Sequence, residues 1–139
     1  MSNLVRDQYI DSTNLEARVQ LYRYATEKRD WSRWVFDRID VGPGARVLEL
    51  GCGPGALWAK NLDRIPDSWE IPLSDLSPGM LGDARQNLRD SERDFSFELA
   101  DSGSIPHNDE TFDAVLANHM LYHVSDRLAA FAGIRRGLK

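Results

Sequence analysis

A chain of 139 residues, 42% apolar and 28% charged, is long enough for one globular domain with a single core and short for a complete doubly wound sheet. Its net charge of −5 and lack of a long basic run argue against a nucleic-acid backbone as partner. No apolar stretch approaches the roughly 20 residues of a membrane helix, Met1 to Asp11 lacks a signal-peptide core, and the single cysteine, Cys52, has no internal disulfide partner, so no membrane association and a reducing cytoplasm are expected.

In chain order, the first forty residues read as two helices. Thr13 and Glu16 have capping-box spacing, and Leu15, Val19 and Tyr22 recur at helical intervals. A second helix is expected from about Asp30, with Trp31, Trp34, Val35 and Ile39 on one face and the two tryptophans in the core between this cap and a sheet. Val41-Gly42-Pro43-Gly44 ends it. Residues 46–55 then read Arg-Val-Leu-Glu-Leu-Gly-Cys-Gly-Pro-Gly, an apolar strand that gives way to glycine at every second position. A helix-forming stretch from Ala56 to Leu62 follows. Trp69 to Asp75 is a second strand, although Pro72 removes a ladder donor there and marks either a bulge or a different boundary. Ser77-Pro78 is an N-cap and first-turn pair for a helix whose apolar face is Met80, Leu81, Ala84 and Leu88. Phe95 to Leu99 is a third strand, residues 101–111 are a polar loop, and Phe112 to Ala117 is a fourth strand. Ser125 is expected to cap a last helix carrying Leu128, Phe131 and Leu138. The order β-α-β-α-β-loop-β-α implies a largely parallel sheet with right-handed crossovers.

Strand, glycine turn and helix together form the opening unit of nucleotide-binding α/β domains. Glycine lets backbone N–H groups come close to a ligand, and the helix start favours negative ligand charge. In such sheets ligands bind beyond the carboxyl ends of the strands, and here those ends carry Glu49 and Gly51, Asp75, Asp101, and Asn118. A carboxylate at Asp75 can accept from both hydroxyls of a ribose, since Ser77 already serves as the helix cap. Gly51, Gly53 and Ala56 also fit the dinucleotide pattern G-x-G-x-x-A, so a nicotinamide-dependent oxidoreductase stands as an alternative. Glu49 and Gly55 weigh against it: an acidic residue sits awkwardly beside a pyrophosphate and suits an ammonium or sulfonium charge. Cys52 reads as a packing residue in the turn. His119 and His123 could share a helical face, but no third ligand has suitable spacing, so no metal site is expected. His119 follows the fourth strand directly and is the candidate to face a substrate as general base; His123 reads as a packed histidine.

Glu49-Leu-Gly-Cys-Gly-Pro-Gly55 resembles the first motif of class I S-adenosylmethionine-dependent methyltransferases. Asp75-Leu-Ser-Pro-Gly-Met-Leu81 resembles the segment after their second strand. Asp101-Ser102, then Ile105-Pro106 and Phe112-Asp113, resemble the third segment, and Phe112 to Asn118 with His119 and His123 the fourth strand and its exit. The likeness spans residues 46–139 and is nearest to the small-molecule branch. It implies a Rossmann-like three-layer α/β/α core with parallel strands over residues 45–139, incomplete at its carboxyl end, with residues 1–44 as an N-terminal helical cap of the same domain. It implies S-adenosyl-L-methionine as cofactor and methyl transfer to a small-molecule acceptor. By position, Gly51, Gly53 and Gly55 would line the methionine part, and Glu49 would set the charge around its amino group and sulfonium. Asp75 would hold the ribose. Leu76 and Met80 would pack on the adenine, Asp101 and the Ser102 N–H would bond its edge, and Asn118 would contact the amino group.

Members of this class have seven strands in the order 3-2-1-4-5-7-6, and this sequence supplies four. The expectation is an amino-terminal piece of such a domain. Its fourth strand would be an open edge, satisfied by self-association or by the N-terminal helices. A non-catalytic module that retains only the cofactor pocket is the further alternative.

Overall fold

The computed structural model of the chain describes residues 10–13, 15, 16, 20 and 30–139. Val19 and Tyr22, placed by the sequence on a first helix, lie outside them. The elements in order are α1 (Trp31–Phe36), β1 (Val47–Leu50), α2 (Ala56–Ala59), β2 (Glu70–Asp75), α3 (Pro78–Leu88), β3 (Asp94–Leu99), β4 (Ala114–Leu116), a 3-10 turn (Leu121–His123) and α4 (Arg127–Gly137). The four strands are parallel, in the order β3-β2-β1-β4.

Strand side chains alternate between two layers. Val47, Ile71, Leu73, Ala114 and Leu116 meet Val35 and Phe36 of α1, Leu57 and Trp58 of α2, and Leu81 and Leu88 of α3. Leu48, Leu50 and Val115 face the other way, toward Ile105, Phe112 and Ile134 of α4. The expected three-layer α/β/α arrangement is therefore present, with one well-filled face and one sparser face.

Local rules account for several element starts. Asp30 caps α1 by accepting from the Ser32 and Arg33 N–H groups. Ser77 Oγ accepts from the Met80 N–H at 3.2 Å with Pro78 in the first turn, and Met80, Leu81, Ala84 and Leu88 are buried, as the pattern required. Pro72 sits inside β2 without a bulge: the register to β3 runs unbroken from Glu70↔Asp94 to Asp75↔Leu99. The cost is one ladder donor in a strand paired on both sides.

Other expectations need correction. The N-terminal turn begins at Ser12, not Thr13: the Glu16 N–H donates to Ser12 O at 2.8 Å and Ser12 Oγ to Glu16 Oε1 at 3.3 Å. The helix after the glycine turn stops at Ala59. Asp126, not Ser125, caps α4, because its carboxylate is the one three residues before the Ala129 N–H, which donates to it at 2.9 Å. On α4 the large side chains Leu128 and Phe131 are exposed. The helix instead turns a stripe of small residues inward. A Cβ on Gly133 would lie 3.3 Å from Ile105 and one on Gly137 3.4 Å from Phe112, and Ala130 is fully buried. Close approach selected the small face. Trp31 is also no core residue: it is 50% exposed, whereas Trp34 packs against the core.

At the head of β4 the Phe112 N–H donates to Gly137 O and the Lys139 N–H to Phe112 O, covering the first residue of that edge. Among the described residues no strand pairs along the rest of it. The described N-terminal residues lie elsewhere, at α3 and the glycine turn. Ser77 Oγ donates to Ile10 O at 2.9 Å and the Ser12 N–H to Asp83 Oδ2 at 3.0 Å.

Candidate functional site

The turn between β1 and α2 carries three glycines in the left-handed region, Gly51, Gly53 and Gly55, at φ 63°, 55° and 76°. An L-residue there costs about 1–2 kcal/mol. Their surroundings differ. A Cβ on Gly51 would stand 2.9 Å from the Met120 side chain, and one on Gly55 3.2 Å from Leu88. Among the described residues a Cβ on Gly53 would meet nothing nearer than Leu15 at 3.8 Å. Gly53 is thus the open position, and Gly55, buried against α3 with its N–H donated to Cys52 O at 3.2 Å, shapes the turn. The Cys52 N–H ties the turn to β2 through Ser74 O at 2.9 Å. Cys52 is buried and its thiol is pushed up by that burial, which suits packing and not nucleophilic attack.

Two carboxylates border the turn. Glu49 is 4% exposed, accepting from Trp58 Nε1 at 2.7 Å and from Asn118 Nδ2 at 3.5 Å. Burial pushes its carboxyl up to about 8, outweighing both donors, and nearby Asp75 adds repulsion. Among the described residues no cation pairs with it. Asp75, at the tip of β2, accepts from the Gly53 and Ser77 N–H groups at 2.9 Å each. Burial raises its pKa against the opposing pull of backbone N–H donors. Leu76, next along, is exposed, while Met80 is buried.

The β3 tip follows alongside, with the Ala100 N–H donating to Asp75 O at 3.1 Å. Asp101 is exposed and takes the Gly103 N–H at 2.8 Å, while Ser102 is buried. Arg136 of α4 clamps the loop that carries them. Its Nη1 donates to His107 O at 2.6 Å and Asp109 Oδ1 at 2.8 Å, and its Nη2 to Ile105 O at 3.0 Å. His107 Nε2 pairs with Glu98 Oε2 at 2.7 Å. Sequence reasoning missed Arg136, His107 and Trp58. Arg136 and the loop it holds are about thirty residues apart with no local signal between them. Trp58 could have been suspected, because a short helix folding back over β1 brings its indole above Glu49.

Beyond β4, Asn118 reaches Glu49. His119 has φ 52° and so does not belong to a helix with His123; the shared helical face expected of the pair is absent. His119 lies 5.0 Å from the Trp31 ring, and His123, on the 3-10 turn, lies 4.1 Å from Tyr122. The structure therefore brings Glu49, Gly51, Gly53, Asp75, Asn118 and Met120 together where β1, β2 and β4 end. Asp101 and Leu76 stand exposed at the neighbouring tips, and Gly55, Met80 and Ser102 lie behind them.

The methyltransferase-domain family profile matches residues 47–139. The ubiquinone/menaquinone biosynthesis C-methyltransferase UbiE of Shewanella halifaxensis is 33% identical over 113 residues, 80% of this chain and 45% of that protein. The chain thus spans under half the length of this relative. Among solved structures, a complex of the Haloferax volcanii Trm112 methyltransferase activator with a methyltransferase aligns with TM-score 0.73 and 25% identity, over 94% of this chain and 56% of that one. The [4+2]-cyclase SpnF aligns with TM-score 0.78 and 24% identity over 97% and 55%, a likeness of fold. That profile covers more than half of the chain, and the chain belongs to the class I S-adenosylmethionine-dependent methyltransferases.

Proposed function

We propose that this chain binds S-adenosyl-L-methionine across the tips of β1, β2, β3 and β4 and takes part in methyl transfer to a small-molecule acceptor. The observation that carries the reading is Glu49, a buried carboxyl with no cation beside it among the described residues, at the base of a glycine turn whose Gly53 N–H donates to Asp75. An ammonium group is the partner such a site suits. The residues present fit the cofactor. Gly53 leaves backbone room, Asp75 offers carboxylate oxygens to a diol, Leu76 offers an apolar surface, and Asp101 and the Ser102 N–H offer an acceptor and a donor to a base edge. Asn118 and Gly51 border the amino-group end. When bound, the cofactor supplies an electrophilic methyl on sulfur. This chain's part is to orient that methyl, exclude water, and present the acceptor. His119, next in the chain to Asn118, is the residue placed to take a proton from an acceptor that must lose one.

Residues 1–44 would serve as a cap within one domain with the core at 45–139. The described N-terminal residues support this by lying over α3 and the turn. A homo-oligomer through the β4 edge, or cover of that edge by the N-terminal helices, is part of the proposal; among the described residues no strand pairs along β4 beyond its first residue. No helix of the described residues is long and apolar enough to cross a membrane; the single cysteine is the ground on which we propose a cytoplasmic location. A module that binds cofactor without turnover is the second reading.

Isothermal titration with S-adenosylmethionine and S-adenosylhomocysteine tests the proposal. Both should bind, and Asp75→Ala should weaken binding about tenfold to a hundredfold through lost hydrogen bonds to a charged group. A correctly folded chain that binds neither would end this reading.

A further inference from the structure

One close side-chain pair is left over by the groups assigned to the cofactor. His107 Nε2 and Glu98 Oε2 stand 2.7 Å apart, with the two side chains 13% and 25% exposed. Its position follows from strand alternation. Phe95 and Phe97 of β3 pack against the core beneath α1, α2 and α3, so Glu98 points to the opposite face, where Phe112 and Ile134 of α4 lie. There the His107 ring meets the Phe112 ring edge-on, at 4.8 Å and 80°. Glu98 comes three residues before Asp101 and His107 six residues after it. The pair therefore joins the two arms of the loop that carries Asp101 and Ser102. Other ties anchor each arm to a different element: the Ala100 N–H donates to Asp75 O, and Arg136 of α4 donates to Ile105 O and His107 O. Inside the closed loop the Gly103 N–H donates to Asp101 Oδ1 at 2.8 Å and the Ser104 N–H to Asp101 O at 3.0 Å, which makes a tight turn at Asp101.

Resting on the cofactor reading above, we infer that Glu98 and His107 are positioning residues that hold the Asp101–Ser102 turn in the shape that selects an adenine edge. An ionised carboxylate accepts hydrogen bonds and donates none, so the His107 Nε2–H donates, and the bond fixes the ring together with the backbone behind it. Joining a loop at its base removes conformations from every residue between the ends. Asp101 is exposed, and an exposed acceptor discriminates between two bases when its loop holds it in place. Adenine offers an amino donor where hypoxanthine offers a carbonyl acceptor. A fixed carboxylate attracts the first and repels the second, whereas a mobile one swings aside and accommodates both. The pair acts through the loop backbone, not on the base.

The test is isothermal titration of the full chain with S-adenosylhomocysteine and with S-inosylhomocysteine, which differs at the base alone. Wild type should prefer the adenosyl ligand about tenfold to a hundredfold. His107→Phe, which keeps a ring against Phe112, and Glu98→Ala should each cut that preference at least about fivefold. Glu98→Gln, which can still hydrogen-bond the imidazole, should keep it. Asp75→Ala should weaken both ligands alike and leave their ratio unchanged. No preference in wild type, an unchanged ratio in either folded variant of the first two, or a Glu98→Gln ratio as low as that of Glu98→Ala would overturn the inference. If S-adenosylhomocysteine does not bind wild type, the cofactor reading fails, and NMR relaxation of the backbone amides in the ligand-free chain still decides the brace. The order parameters of Gly103 and Ser104 should be about 0.85 in wild type and fall below about 0.6 in His107→Phe and Glu98→Ala, with those of Gly53 and Ser77 unchanged. Values already low in wild type, or unmoved in either folded variant, would sink it.

Discussion

The Glu49–Asp75 region and the Trp31–His119 region are built from different materials. On the Glu49–Asp75 side the groups are buried or half-buried and interlocked: Gly53 and Ser77 bond Asp75, Cys52 bonds Ser74, Trp58 and Asn118 bond Glu49. On the Trp31–His119 side there are ring contacts and exposed surface. The first side has the rigidity and dryness that make a fixed charge pattern selective. The second carries little of the fold.

That contrast can be broken at its strongest point first. Gly51→Ala should lower stability by about 2–4 kcal/mol in urea denaturation, combining left-handed strain with a clash against Met120. An unchanged midpoint would show that the turn is not the rigid side. Next is Glu49. Its folded-state pKa, about 8, is raised above the unfolded value near 4.5, so the folded state holds the proton more tightly. The contribution is fully present below pH 4.5 and is lost as pH rises through 8. Ligand-free stability should therefore fall over that window by an amount on the order of a few kcal/mol. Asp75, also raised, acts in the same direction, while Asp37, Asp63 and Asp113, whose pKa values are lowered, act below about pH 4. Glu49→Gln should flatten most of the slope in melts between pH 5 and 8.5. It should also abolish the proton release that calorimetry in buffers of different ionisation enthalpy would detect on binding a cationic cofactor; a wild-type chain with no release would contradict the ammonium assignment.

Arg136→Ala probes the boundary between the two sides, since Arg136 holds the Asp101 loop from behind. Cofactor affinity should fall about threefold to tenfold with little change in the melting midpoint. The smallest stability effect belongs to Trp31→Ala, within about 0.5 kcal/mol, as expected for a surface substitution. A large loss there would mean that the exposed indole supports the fold after all.

Much of the first side was legible in the chain. Alternating apolar residues, glycines at 51, 53 and 55, and Ser77-Pro78 before an apolar helical face are short-range signals, because capping, turns and strand alternation depend on neighbours a few residues apart. The parallel order followed from short strands separated by helices. What could not be read was anything decided by which face packs closest. α4 turns Ala130, Gly133 and Gly137 inward and leaves Leu128 and Phe131 in water, because Ile105 and Phe112 require close approach. Composition alone ranks those residues the other way.

The sequence by itself determined the element types, their order, and which acidic and amide residues end each strand, since each depends on local backbone preference. Only the tertiary structure decided that Trp58 and Asn118 converge on Glu49, that Arg136 grips the Asp101 loop, and that His119 meets Trp31. Those pairs lie 9 to 88 residues apart, and their meeting is set by packing of layers, which no window along the chain contains.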